Sequence, residues 1–520
     1  MSPSLAQSMI DAASLAIAGK KPEALAELVK ARDAGHRDHK LLEAIGHLQF
    51  ELRLFESAAQ TYEEALALNP EDSTTHYNRA VCLEKLLLWD RARSGFQKAA
   101  ELDSRRASAH LGLGITELRL DRPQQALEAF EKCLERQPFR EAALQGRAVA
   151  LHLLNRHLDA SEAYRKLLAR DGRSEELLGN AISLAIAQGD YESLALYADR
   201  LIEVNPNSAV ALEGAALAAF TKRDFASALR YCTALVEAHP AHFAGWFNCG
   251  VALYKVGEFE KSAGAYSRAV ALEPESAEAH LGLGTVLQEL ERWEAASEAY
   301  QNALVLNPAC RTARWNLALL CEWRKDLRQA EQHYARLTEQ YPDAQDAWFR
   351  LGYIRLRLED YPACLKAFEA CLALPRKCAE AMLNIGVAHW NMRNIELAKE
   401  TFRQCLASAS SKVQALRCLA AIALRQQDFE QALLLHRQLL EMDESDPDLL
   451  YNIALLLQKR GRAADAVRYY RYALAARPDF AEAQVNLGHA LMALGKYEEA
   501  QSIWQSAVHS SVELAEQFLV

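Results

Sequence analysis

Residues 277 to 308 read AEAHLGLGTVLQELERWEAASEAYQNALVLNP, two short amphipathic segments closed by a proline, and the same pattern returns 34 residues away in either direction. Counted from Leu5, repeats begin at residues 5, 39, 73, 107, 141, 175, 209, 243, 277, 311, 345, 379, 413, 447 and 481. The fifteenth ends at Leu514, and no insertion or deletion breaks the series. A period of this length marks stacked helical or strand units, each too small to bury its apolar face alone. It overrides the ordinary expectation that 520 residues divide into several globular domains.

Four positions carry the phase. Position 8 is Gly in seven repeats (Gly46, Gly114, Gly250, Gly284, Gly352, Gly386, Gly488), Ala in seven others and Ile182 once. Position 20 is Ala in twelve, with Leu194, Ser262 and Cys364 as exceptions. Position 24 is aromatic in eleven, from Tyr62 to Trp504, and position 32 is Pro in eight, from Pro70 to Pro478. Glycine inside a helix costs roughly 0.5–1 kcal/mol relative to alanine. Seven at one phase therefore predict a helix A whose eighth position is pressed against a helix B. Alanine at position 20 supplies the small face of helix B, and the aromatic at position 24 fills the wider space towards the next repeat. Proline at position 32 ends helix B, because the residue before a proline is biased out of the α region. Pro22, Pro123 and Pro362 fall in the first turn of helix B, where a missing amide hydrogen does little harm. The sixth repeat departs most (Ile182, Leu194, Ala198) and is the expected place for a change of curvature. The closures without proline (Gly172, Arg376, Ser410, Glu444) are expected to bend differently.

These phased residues resemble the tetratricopeptide repeat family over residues 5–514. The resemblance implies an all-α fold, an α-solenoid wound as a right-handed superhelix of about fifteen 34-residue helix-turn-helix repeats. Its A helices would line a concave groove and its B helices the outer wall. Residues 515–520 are expected to form a C-terminal tail or partial cap, since a bare solenoid end exposes an apolar face. The alternative is that another chain covers that end and the protein self-associates there.

Composition then excludes classes of function. A net charge of −10 and a pI near 5.9 argue against generic binding to nucleic acid or anionic lipid. Eleven cysteines, an odd number in a long chain, do not look like a secreted disulfide framework. The N-terminus lacks the layout of a secretory signal, and no stretch reads as a membrane span, so a cytoplasmic location is expected. No nucleophile motif, phosphate-cradling loop, H-E-x-x-H or dinucleotide fingerprint interrupts the repeat, so no catalytic residue and no cofactor are expected, and the chain reads as a non-enzyme.

Metal ligands are not expected either. Cys364, Cys371 and Cys378 are spaced by seven and lack the pairs of a zinc site, and Cys133, Cys371 and Cys405 share position 27 as small core residues. His36 with His39, and His239 with His242, stand three apart at repeat boundaries without a third ligand at a fixed offset. They read as solvated turn residues, and His436 as a packed core residue.

The groove carries the functional signal. In the family, positions 2, 5, 6, 9, 12 and 13 of helix A face inward. Position 6 is Asn in seven repeats: Asn78, Asn180, Asn248, Asn316, Asn384, Asn452 and Asn486. Asparagine is a mediocre helix former whose amide both donates and accepts, which suits the backbone of an extended peptide. The ladder is similar to that of the superhelical arm of O-linked N-acetylglucosamine transferase, here without a catalytic domain. Aromatics add a second layer at positions 5, 9, 12 and 13: Phe220, Phe247, Tyr254, Trp315, Trp323, Phe349, Tyr353 and Trp390. Arg350 stands beside them, placed to meet a carboxylate or solvent. The set of Lys and Asn that grips a C-terminal carboxylate in chaperone co-factors is absent.

The expected function is a non-catalytic scaffold that binds an extended peptide segment or partner protein. The candidate contacts are Asn248, Asn316, Asn384, Asn452, Phe247, Tyr254, Trp315, Phe349, Arg350, Tyr353 and Trp390. The alternatives are a self-assembling structural scaffold, or a targeting subunit of a separately encoded enzyme such as a glycosyltransferase.

Overall fold

The computed structural model describes residues 5–443 and 445–510, with the backbone alone for 507–510. Glu444, the end of the last repeat and the expected cap at 515–520 lie outside the described residues. Thirty helices and no strand occupy the described chain. They fall into two compact halves, Met1–Pro274 with repeats one to eight and Glu275–Val520 with repeats nine to fifteen. Both halves are built from the same hairpin.

Helix A begins at the residue expected from the 34-residue count in fourteen of fifteen repeats, and helix B begins at position 17 in every one. All eight proline-closed B helices end at position 30, two residues before the proline. Where the closure is not proline, helix B stops earlier in several repeats. It ends at Leu168 before Gly172, at Ala373 before Arg376 and at Cys405 before Ser410. After Cys405, the Ser411 hydroxyl bonds the Cys405 carbonyl at 2.8 Å, and the next helix starts early, at Ala409. Serine competing for helix-terminal carbonyls explains this shift.

The turn inside each hairpin has a shared conformation that composition hides. Position 15 takes a positive φ in all fifteen repeats, yet only five of these residues are Gly, and the others include Arg53, Leu87, Asn155 and Lys325. The chain reverses through one left-handed residue, and the following amide reaches back to helix A, as Leu54 does to Gln49 at 2.8 Å.

Packing follows the four phased positions. Every residue at position 20 is fully buried, including Leu194, Ser262 and Cys364. Ser262 shows what lies over it, since its hydroxyl donates to the Gly250 carbonyl at 2.7 Å, joining position 20 to position 8. Each of the seven position-8 glycines faces the position-24 ring of its own repeat. A Cβ on Gly352 would fall 2.8 Å from Phe368, and one on Gly386 would fall 2.5 Å from Phe402. The ring also reaches the next repeat, because a Cβ on Gly112 would meet Phe96 at 2.6 Å. Burying such a ring contributes about 2–3 kcal/mol per hairpin.

The sixth repeat exchanges volumes and keeps the same plan. With only Ala198 at position 24, Ile182 and Leu194 fill the space, and both stand just over 3 Å from where a Cβ on Gly214 would lie. The division between the halves falls after the eighth repeat. No helix among the described residues is long and apolar enough to cross a membrane.

Candidate peptide-binding face

The position-24 ring that holds the hairpin together also organises the exposed face of helix A. In the second half, the Tyr300 hydroxyl donates to Gln288 Oε1 at 3.0 Å and accepts from Asn316 Nδ2 at 3.2 Å. One repeat on, Tyr334 donates to Glu322 Oε1 at 2.6 Å, and Glu322 Oε2 faces Arg350 Nη1 at 3.5 Å. Tyr470 donates to Gln458 Oε1 at 2.7 Å. Position 24 therefore bonds position 12 of its own repeat in all three, and position 6 of the next repeat closes the link at Asn316 and Arg350. Burial, then the bond to Glu322, push the Tyr334 phenol well above its ordinary range.

These bonds sort the asparagine ladder. Asn316 spends its amide donor on Tyr300, and Asn486 spends its own on the Tyr451 hydroxyl at 2.9 Å and the Glu482 carbonyl at 3.0 Å. Both belong to local structure. Asn248 in the first half, and Asn384 and Asn452 in the second, are half-buried, and their side-chain amides make no hydrogen bond to the protein among the described residues. Arg350 meets a carboxylate of its own chain, Glu322.

The position-5 aromatics are shared between core and surface. Phe247 stands edge-on to Tyr266 at 5.7 Å between centroids, Trp315 to Tyr334 at 5.5 Å and Phe349 to Phe368 at 5.7 Å. Each is half-buried. Tyr254 packs on Phe259 at 5.6 Å, the same position-12 to position-17 contact that joins Phe220 to Phe225. Tyr353 lies against the apolar clusters of both its own repeat and its neighbour. Trp390 borders a cavity of about 420 Å³ with Arg393, Ile395, Ile422, Arg425 and Gln426. Neither arginine has an ion-pair partner among the described residues.

Sequence reasoning missed the partners of these rings. Trp323 is 61 % exposed and lies on Trp293 of the preceding repeat with centroids 4.2 Å apart. Trp293 sits at position 17, outside the set expected to face inward, and the recurrent aromatic there was the available signal. The position-12 acceptors Gln288, Glu322 and Gln458 share a 12-residue offset from Tyr that the same count would have exposed.

The boundary histidines are more engaged than the solvated residues expected. His39 Nδ1 is 3.1 Å from the Ala65 carbonyl, His239 Nε2 is 2.7 Å from the Asn207 carbonyl, and His242 Nδ1 accepts the Gly245 amide at 3.1 Å. His436 is buried and bonded to the Ala432 carbonyl. The position-27 thiols are buried too, and burial pushes Cys371 up to about 12 and Cys405 up to about 11, far from a reactive thiolate.

Comparison with known proteins agrees with this architecture. Models of the tetratricopeptide repeat match residues 43–110, 86–141, 111–175, 180–243, 283–327 and 324–377. Related models of the same repeat match 250–291, 379–412 and 457–511. The chain is 28% identical over 178 residues to Tetratricopeptide repeat protein 8 of Caenorhabditis elegans, covering 33% of this chain and 35% of that one. It is 22% identical over 226 residues to the peroxisomal targeting signal receptor of Kluyveromyces lactis, covering 36% and 40%. The match thus spans well under half the length of either relative. Among solved structures, Cut9 with Hcn1 from the APC/C aligns with a TM-score of 0.33 and 18% identity over 89% of this chain and 98% of that one. With fifteen phased hairpins and family models matching more than half its length, the chain belongs to the tetratricopeptide repeat family.

Proposed function

We propose that this chain, a protein-interaction scaffold by family, is non-catalytic and holds an extended segment of a partner protein along its A helices. The observation that carries the reading is the pair of half-buried side-chain amides at Asn384 and Asn452 that make no hydrogen bond among the described residues, an arrangement that Asn248 repeats in the first half. An amide that both donates and accepts pairs with a peptide backbone of any sequence. Flanking rings at Phe247, Trp315, Phe349, Tyr353 and Trp390 supply apolar area, with one edge of Phe247, Trp315 and Phe349 fixed by the core. Rigid, partly packed aromatics lose little freedom on binding and make effective anchors. That one relative is by name a receptor for a targeting signal is consistent with peptide recognition.

The test is capture of the partner from the protein's own cells, followed by quantitative binding of the identified segment. An Asn384→Ala/Asn452→Ala chain should keep its fold, since alanine is the better helix former, and should lose at least tenfold in affinity. Unchanged affinity in that variant would remove the ladder from the binding face.

A further inference from the structure

In the first half, away from the asparagines and rings of the proposed binding face, three metal-ligating side chains converge. His39 opens helix A of the second repeat (His39–Glu51), Glu43 lies one turn further along it, and Asp72 caps helix A of the third (Ser73–Lys85). Their ligand atoms all lie within 4.8 Å of one another. The orientation of the imidazole is set from outside the cluster. Its Nδ1 stands 3.1 Å from the Ala65 carbonyl, which can only accept, so Nδ1 carries a hydrogen and Nε2 is the atom turned towards the carboxylates.

Nε2 lies 3.6 Å from Glu43 Oε2 and 3.5 Å from Asp72 Oδ2. A charge-assisted N–H···O bond would bring one of them to about 2.7–2.9 Å. The ring is therefore bonded to neither, and it is almost equally far from both. Ligands held at the roughly 2.1 Å bond lengths of tetrahedral zinc stand about 3.4 Å apart, close to the two distances from Nε2.

The charge balance points the same way. Among the described residues no lysine or arginine pairs with Glu43 or Asp72, and His39 is the basic group that faces them both. The single Thr75 hydroxyl hydrogen stands between them, with Oγ1 2.8 Å from Glu43 Oε1 and 2.5 Å from Asp72 Oδ2, and the Thr75 amide adds a bond to Asp72 at 2.8 Å. Side-chain exposures of 20%, 28% and 23% for His39, Glu43 and Asp72 leave the site half-buried but reachable from solvent. Two such carboxylates and the ring nitrogen that faces them make a three-ligand set for a cation.

We propose that His39 Nε2, Glu43 and Asp72 bind one zinc ion, with solvent as the fourth ligand, and that the Ala65 carbonyl acts as the outer-shell group that fixes the histidine. Because the ligands come from two repeats, the ion would clamp the second repeat to the third.

The experiment is calorimetric titration of the full, reduced chain with zinc chloride, and separately with manganese and magnesium chlorides. Asp72→Asn keeps a good helix cap and Glu43→Gln keeps the side-chain shape, so both should fold while weakening zinc binding at least tenfold. His36→Ala, which alters the neighbouring histidine only, should leave the affinity unchanged. Zinc should also raise the thermal midpoint of the wild type and not that of Asp72→Asn. The proposal is overturned by the absence of saturable zinc binding, by affinity that survives Asp72→Asn and Glu43→Gln, or by manganese or magnesium binding more tightly than zinc.

Discussion

Gly386 lies so close to Phe402 that a methyl group on it would fall 2.5 Å from Cε1 of the ring. Phe402 is fully buried and has nowhere to retreat. Gly386→Ala should therefore destabilise the chain by about 1–3 kcal/mol, the cost of overpacking, although alanine is the better helix former. Gly264 is the matched control, since it lies inside the helix Phe259–Leu272 with nothing within 4 Å of an added Cβ. Gly264→Ala should stabilise by about 0.5–1 kcal/mol. Urea melts followed by circular dichroism separate the two, and equal effects would mean that the ring does not set the hairpin spacing.

The hydroxyls at position 24 divide in the same way. Tyr334 bonds Glu322 at 2.6 Å, and that carboxylate is mostly buried. Removing the donor in Tyr334→Phe leaves the Glu322 oxygen short of a partner and should cost about 1–3 kcal/mol. Tyr164 is just as buried, but its hydroxyl has no partner among the described residues. Tyr164→Phe should be neutral or stabilising in the same urea melts. A large loss there would point to an ordered water bonded to the hydroxyl.

Much of this fold was legible because the residues that set it act at fixed offsets. Gly at 8, Ala at 20, an aromatic at 24 and Pro at 32 are each the local answer to one steric demand, so counting by 34 placed fourteen of fifteen A helices to the residue. The left-handed turn at position 15 was not legible, because ten different repeats meet it with an ordinary side chain and the tertiary contact overrides local preference. The candidate face was legible only in outline. Phase identifies Asn316 and Asn384 alike, and only the position of the Tyr300 hydroxyl shows that the first is already engaged. The surroundings of His39 were hidden for the same reason, since Asp72, 3.5 Å from its ring, lies 33 residues along the chain and no local spacing announces it.

Acid should act on the half-buried His333. Burial, and after it the positive charges of Arg314 and Arg336, hold His333 down to about 4. The folded chain thus keeps this ring neutral while the unfolded chain protonates it near 6.5. Stability from this group is complete above pH 6.5 and declines as the pH falls towards 4, because the unfolded state binds the extra proton first. His333→Gln should flatten the fall in urea midpoint between those limits relative to wild type. An unaltered slope would assign the acid sensitivity to His110, His152 and His436, which burial shifts in the same direction.

Trp390 and its two arginines give the proposed binding face a charge preference that can be measured. The cavity of about 420 Å³ joins an aromatic wall and two isoleucines to Arg393 and Arg425, neither of them neutralised by a carboxylate among the described residues. A site of this make-up takes an apolar side chain with an acidic neighbour. Arg393→Glu/Arg425→Glu should weaken capture of the partner segment at least tenfold at low salt, with a smaller difference as salt screens both forms. Both arginines are exposed, so the double reversal should leave the thermal midpoint within a few degrees of wild type. Trp390→Ala should weaken binding by a factor that does not depend on salt, since it removes apolar contact and no charge. Arginine reversals that leave the affinity untouched, beside a Trp390→Ala that lowers it, would make the anchor purely apolar.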